Sequence, residues 1–411
     1  MLLLAYSLVA FGSPMPPRIT GLEVLMGCGL LLGGMALSGY VIREIRQQKM
    51  AHWCFSLTAA LLFLPLCVGL LRENAWPDLA RDIFPCIFLL VVPVFLIYST
   101  SCENRAAMRW LITATLLFVG ICSAITFFAG VLAWAGSIDK MISGGISYIQ
   151  APQTEFYDRQ LFLKPHDPAM LFAGVLLSAW GVALMVRSWQ GWVPGLILAG
   201  MGVSIAYCFM ILGLRAYTAF YVLAIMVMCW NLRRESGLYL RLLPVVLLAC
   251  ALFWPQIGAA LHLLWIKQQA MGLNGKMDEW RAVADTVFFS PQTALFGIGW
   301  GGILANPIYL NETTRYTHSL LSFYLLKSGL LGLAALLSII SILLIQGRRL
   351  ADKGALAMHS LIWLLSCLPP LLIGVLFEPT YKMLSYGVIL TLLVLAGASL
   401  KSEENRIDGR K

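Results

Sequence analysis

Apolar runs dominate the chain and set its plan. Stretches near the roughly 20 residues that cross a bilayer recur from end to end, separated by short polar connections. Hydropathy places twelve spans near residues 1–15, 21–42, 50–71, 83–100, 110–130, 170–186, 192–214, 216–231, 242–259, 316–345, 355–377 and 383–400. Lipid forces every spanning segment to satisfy its own backbone groups, so these runs are expected to be helices. A membrane barrel would need short alternating segments, which are absent. Pro14, Pro16 and Pro17 end the first span early, and without the basic leader of a cleaved signal peptide it reads as a short helix. The predicted fold is an all-α polytopic membrane protein of about twelve transmembrane helices, a single domain over residues 1–411.

Composition sharpens that picture. Hydrophobic residues make up 60% of the chain and charged residues 12%, about half the charged share of a soluble domain. No soluble core could hide so much apolar surface, because soluble chains of this length split into domains. The net charge of +9 does not point to nucleic acid, since the positive residues are scattered over short loops. Their distribution carries orientation instead. The alternate segments 43–49, 101–109, 187–191, 232–241, 347–354 and 401–411 hold 16 of the 29 basic residues. Cytoplasmic loops are enriched in Lys and Arg, so both termini are expected in the cytoplasm and the odd-numbered connections outside.

Two of those outward connections are long, near 131–169 and 260–315. Loops beyond about 15 residues are usually functional or disordered. The second is rich in aromatics: Trp265, Trp280, Phe288, Phe289, Phe296 and Trp300. Trp280, Val283, Ala284, Val287 and Phe288 recur at helical spacing. Asp278 and Glu279 at the start of that pattern suit the helix dipole, and Ser290-Pro291 is expected to end it. Phe296-Gly297-Ile298-Gly299-Trp300-Gly301-Gly302 follows, and the whole reads as a partly helical reentrant cap on the membrane surface.

None of the ten cysteines falls in either long loop, so they are expected to pack as small apolar residues. No CxxC or HExxH spacing appears, and neither metal nor cofactor is expected. The informative residues are outward cations and histidines. Arg215 interrupts Leu212-Gly213-Leu214-Arg215-Ala216-Tyr217 with almost no loop around it. Arg281 lies in the loop helix with Asp285 one turn on, and Arg315 and His318 flank the start of the tenth span. Arginine at bilayer depth is costly and usually functional or paired, and its planar fork suits phosphate. Each has a plainer reading. Arg215 could snorkel to the headgroups, Arg281 could serve only Asp285, Arg315 could be an ordinary interfacial arginine, and the glycine run could be only a turn. Among the histidines, His52 and His359 lie near the cytoplasmic ends of their spans. His166 and His262 are outward but in unremarkable settings. His318, heading a long helix beside Arg315, Tyr316 and Thr317, could accept a proton from an attacking hydroxyl.

Asp278-Glu279-Trp280-Arg281, Phe289-Ser290-Pro291, Gly297-Ile298-Gly299-Trp300-Gly301, and His318-Ser319-Leu320-Leu321 through Lys327-Ser328-Gly329-Leu330-Leu331-Gly332 stand in that order over residues 278–332. This block resembles the O-antigen ligase and polymerase superfamily. The family shows an arginine helix, a Pro and GxG stretch, and a histidine opening a helix that ends in Glu-x-Gly-x-x-Gly. Lys327 stands where the family often has glutamate, deep enough in its expected helix to require a buried partner.

The resemblance implies a layout like class C glycosyltransferases and a glycosyl transfer on the outer face of a bacterial inner membrane. The donor would be a glycan on polyprenyl (undecaprenyl) pyrophosphate. A ligase's acceptor would be a sugar hydroxyl of lipid A-core, in lipopolysaccharide biosynthesis. It implies Arg215 and Arg281 on the pyrophosphate, Arg315 as a third contact, and His318 as general base in a metal-independent, inverting displacement. Length and the single large loop before span ten favour ligase over O-antigen or exopolysaccharide polymerase. A twelve-span secondary transporter is the alternative of another class. It fits less well, because transporters are often built from two related halves and these halves look unlike.

Overall fold

The computed structural model describes residues 49–99, 105–150, 167–187, 190–232, 254–255, 257–270, 272, 275–309, 312–349 and 358–395. The first two expected spans and most of the ninth lie outside the described residues, as do His166 and Cys28, Cys102 and Cys250. The described part is all-α apart from one small hairpin. In chain order the helices are α1 (Lys49–Leu71), α2 (Trp76–Cys86), a π turn (Ile87–Val91) and α3 (Val92–Ser99). There follow α4 (Arg105–Ala135), α5 (Ile138–Gln150), α6 (Pro168–Arg187), α7 (Trp192–Ile211), α8 (Arg215–Leu232) and α9 (257–270). The last are α10 (Lys276–Val287), α11 (Pro291–Phe296), α12 (Leu320–Arg349), α13 (Met358–Leu376) and α14 (Leu384–Leu395). Strands β1 (Leu304–Asn306) and β2 (Glu312–Thr314) pair antiparallel, with Ala305 opposite Thr313.

Among the described residues five helices are long and apolar enough to cross a membrane: His52–Leu71, Ala107–Ala135, Pro168–Val186, Trp192–Ile211 and Leu320–Ile342. The protein is an all-α membrane protein. α6 is its axis, buried along most of its length and packed against α4, α7, α8 and α13. Lipid supplies no hydrophobic drive between helices, so close backbone approach must supply contact instead. The α6–α7 seam shows how. A Cβ on Gly181 would meet the Gly195 carbonyl at 2.5 Å, and one on Gly202 would meet Ser178 Oγ at 2.2 Å. Across α6 and α8, Ser178 and Tyr221 share a hydrogen bond of 2.6 Å.

Several sequence expectations are corrected. The fourth span begins earlier than expected, at Trp76, and widens into the π turn just ahead of Pro93, which brings no N–H to the ladder. The 131–169 connection is partly helix, since α4 runs to Ala135 and α5 follows. The tenth span starts at Leu320 and not at 316, leaving His318 in a bend just before the helix. That span is also broken, because Gly329 adopts φ 63°. A break there deprives the carbonyls of Leu326 and Lys327 of their helical partners. Ile298 and Gly299 N–H groups fill both, each at 2.9 Å.

The glycine run is therefore an inserted hook, deeper than a cap on the surface. Trp300 is fully buried between α1 and α12, its backbone N–H donating to the Pro65 carbonyl and its indole N–H to the Leu62 carbonyl, each at 2.9 Å. Gly299 (φ 78°) passes so close that a Cβ would meet the Gly69 nitrogen at 2.3 Å. Asn74 donates to the carbonyls of Ile298 and Trp300 and closes the hook. Ser290-Pro291 does not simply end α10; it caps α11 through a reciprocal Ser290–Thr293 capping box. Cys54, Cys86, Cys208 and Cys367 are buried packing residues, whereas Cys67 is exposed.

Candidate functional site

Hydrogen bonds and ion pairs tie the turn after α1, the segment from α10 to the start of α12, and the turn after α13 to one another. The functional residues expected from sequence lie on these segments or beside them. They fall into two groups that differ in burial.

The first group centres on His318. The β1–β2 hairpin returns the chain from the hook so that His318 lies against Glu279 of α10. Val283 and Val287 continue the same buried stripe one and two turns on and pack against Ile298, Leu325 and Leu326. Glu279 is nearly inaccessible at 1% exposure and accepts hydrogen bonds from the His318 backbone N–H (2.9 Å) and from Asn306 Nδ2 (2.5 Å). Its Oε1 lies 3.0 Å from His318 Nδ1. Burial by itself raises the Glu279 carboxyl, but the hydrogen bonds and charge of His318, with Asn306, outweigh it and hold the group below its ordinary value. A carboxylate facing Nδ1 keeps a proton there in the neutral imidazole, so Nε2 is left as the acceptor. Sequence alone makes Glu279 a helix-dipole residue. Its role depends on a neighbour 39 positions away.

Around this dyad the charges are matched. Lys327, fully buried, bonds Asp82 Oδ2 at 2.5 Å and the Gly302 carbonyl at 2.6 Å. The Gly301 N–H donates to the same carboxylate oxygen at 2.7 Å. Asp82 is thus the partner that Lys327 required, and the pair joins α2, the hook and α12. One turn earlier on α2, Asp78 binds Arg315 at 2.5 Å. The turn after α13 adds Tyr381, whose hydroxyl donates to the Thr317 carbonyl (2.9 Å), and Lys382, whose ammonium stands 3.0 Å from the centre of the Tyr316 ring. Burial pushes the Lys382 amine well below a lysine's usual value; Asp82 opposes this, while Lys327 and Arg315 add to it.

The second group lies at the mouth of an open groove between α8 and α9. Val222, Leu223, Met226, Leu261, Leu264 and Trp265 line a volume of about 540 Å³, with Arg215 and Gln268 at the rim. Arg215 donates to Gln268. Burial pushes the Lys267 amine below its ordinary value; the charges of Arg215 and Lys276 add to this, while Glu378 opposes it. Lys276 binds Glu378 at 3.1 Å and the Phe377 carbonyl. The sequence reading passed over both lysines, because scattered basic residues in a loop carry no spacing signal.

Of the three arginines singled out, Arg215 stands at this mouth and Arg315 in the matched group. Arg281 is 75% exposed and pairs with Asp278 at 3.2 Å, and not with Asp285 as helical spacing suggested. His262 is exposed on α9 and His52 on α1 at the far end. No family model matches the chain, and no curated protein matches its sequence.

Proposed function

We propose that this protein is a membrane glycosyltransferase of the O-antigen ligase kind. It would transfer a glycan from undecaprenyl pyrophosphate to a sugar hydroxyl of lipid A-core. The observation that carries this reading is the buried Glu279–His318 dyad. It stands one helical turn along α10 from Lys276, and Arg215 stands at the rim of an apolar groove between α8 and α9. A lipid diphosphate needs an apolar channel and concentrated cations, and a hydroxyl acceptor needs a base beside them.

In this scheme His318 Nε2 takes the proton of the acceptor hydroxyl as its oxygen bonds to the anomeric carbon. The bond from that carbon to the diphosphate oxygen breaks, and the diphosphate leaves with the electron pair. Attack opposite the leaving group inverts the centre. Glu279 stabilises the imidazolium that forms. Arg215 neutralises charge developing on the leaving group, an electrostatic contribution of the kind that often dominates catalysis. Arg281 and Arg315 join it by exchanging Asp278 and Asp78 for phosphate oxygens. We place the protein in a bacterial inner membrane with twelve spans, both termini cytoplasmic and the 260–315 loop in the periplasm.

The test is a lipopolysaccharide gel from a deletion strain complemented with wild type or His318→Ala. Bare core with long glycan retained on its polyprenyl carrier is the expected result. Core bearing a single repeat would make the protein a polymerase, and an unchanged ladder would remove both readings.

A further inference from the structure

Matched in number, the charges around His318 are not all matched in contact. Each acid there is already held: Asp78 by Arg315, Asp82 by Lys327 and the Gly301 N–H, and Glu279 by His318 and Asn306. Lys382 is the third cation of the group. Among the described residues its ammonium makes no hydrogen bond and no ion pair, and it rests on the face of the Tyr316 ring at 3.0 Å. The turn that carries it is firmly placed. Pro379 opens Pro379–Lys382, and the Thr380 and Met383 N–H groups close it on the carbonyls of Glu378 and Thr380. Tyr381, fully buried, pins the turn to the Thr317 carbonyl and packs on Phe323 with ring centres 5.1 Å apart. Lys382 next to it keeps part of its surface in reach of solvent. An aromatic face offsets only part of the hydration that an ammonium loses on burial, so the fold holds Lys382 in place and leaves it short of an anion.

Position identifies whose anion this is. The Tyr316 and His318 ring centres lie 6.5 Å apart, so the ammonium and the imidazole flank one aromatic ring. A free anion on Lys382 would not reach the base, whereas a saccharide can reach both. The charges acting on Lys382 are those of Asp82, Lys327, Arg315 and Glu279, while those acting on Lys267 are Arg215, Glu378 and Lys276. Lys382 therefore belongs with the base and not with the groove rim where Arg215 stands. With His318 as the base of the transfer, the molecule beside it is the acceptor. We propose that Lys382 is a specificity-determining residue that binds an acidic substituent, carboxylate or phosphate, on the acceptor saccharide near the hydroxyl that His318 deprotonates. The assignment rests on that reading of His318 and adds a substrate class to it. The acceptor is an acidic saccharide, held in register with Nε2 by one charge-assisted bond, and a neutral sugar of the same shape is a poor substitute.

The experiment uses the full-length protein in nanodiscs. The probes are the core oligosaccharide freed from the host's lipopolysaccharide, the same oligosaccharide stripped of phosphate, the same with its carboxylates reduced to alcohols, and inorganic phosphate. At least one treatment should weaken binding about tenfold or more, the scale of a lost charge-assisted contact, and which one does so tells phosphate from carboxylate. Lys382→Met should bind the intact oligosaccharide as weakly as wild type binds the treated one, with no further loss on treatment. Lys382→Arg should keep the discrimination. In transfer, Lys382→Met should raise KM for the acceptor by a similar factor and leave KM for the donor unchanged. Wild-type indifference to both treatments overturns the assignment, as does discrimination that survives in Lys382→Met. So does a KM change that falls on the donor, which would make Lys382 one more diphosphate cation. Inorganic phosphate binding as tightly as the oligosaccharide would leave a free-anion site and overturn it too. If Lys382→Met fails to fold, the wild-type series and Lys382→Arg still decide. Discrimination among the oligosaccharides with an unchanged ladder in the deletion strain would keep the acidic-saccharide site and lose the ligase. A lost ladder without discrimination would do the reverse.

Discussion

The two groups of charges at the loop end differ in burial, and the difference separates architecture from candidate ligand binding. Around His318, each acid meets a base from another segment, and Lys327 with Asp82 is wholly enclosed. A charge buried there without its partner costs several kcal/mol, so this group has to be neutral in the folded protein and can serve as framework. At the groove mouth, Lys276 binds Glu378 with both side chains partly exposed, and Arg215, also partly exposed, donates to Gln268. One group is enclosed and can hold His318 in place; the other is open to what enters the groove.

The comparison can be broken most decisively at the base. His318→Ala should lower transfer by about 10²–10⁴-fold, the usual contribution of a general base, with the purified protein's melting temperature little changed. Near-normal turnover in a correctly inserted variant would falsify the assignment.

Next in size is the framework itself. Lys327→Met leaves Asp82 buried and unpaired and should cost about 3–5 kcal/mol, read as a lower melting temperature in detergent. The double variant Lys327→Met/Asp82→Asn should recover much of that loss. Full stability in the single variant would mean that the matched group is not structural.

Glu279→Gln keeps the side chain's shape but weakens the hold on the imidazole. Transfer should fall by about 10²-fold, toward the lower end of what a general base supplies. The substitution should also change acid sensitivity. Because the fold holds this carboxyl below its ordinary value, its stabilising contribution is present above the unfolded-state value and is lost as pH falls through the folded one. Hydrogen-exchange protection over residues 275–319, measured against the intrinsic rate at each pH, should fall with acid in wild type, and that pH-dependent component should be missing in Glu279→Gln.

The smallest effect sharpens the contrast from outside. Arg281–Asp278 is exposed, and such helix pairs are worth about 0.3–0.5 kcal/mol. Arg281→Ala should leave the melting temperature almost unmoved. Its proposed contact with the donor's phosphates should appear instead as a loss of transfer in the same protein, and unchanged transfer would remove Arg281 from the site.

Spacing along the chain predicted what depends on near neighbours. The apolar runs at 50–71, 170–186, 192–214 and 355–377 emerged as helices within a few residues of their expected bounds. Helical periodicity in Trp280–Val287 marked a loop helix that does bury Val283 and Val287. The depth of Lys327 in an apolar run required a buried partner of unstated identity. Hydropathy averages over a turn or two, so it sees long helices well. It does not see the break at Gly329, which consists of one residue's backbone angle and two carbonyls satisfied by a hook some thirty positions earlier.

Pairings between distant segments were decided only in three dimensions. The lysine's partner proved to be Asp82, and the carboxylate behind His318 proved to be Glu279. Asp278, its sequence neighbour, faces solvent from the same first turn of α10. Sequence alone established a membrane protein of packed helices, because lipid imposes length and apolarity locally. Which charges cancel and which are left over depends on where helices far apart in the chain come together. Electrostatic energy follows distance through space, and the chain's order does not record it.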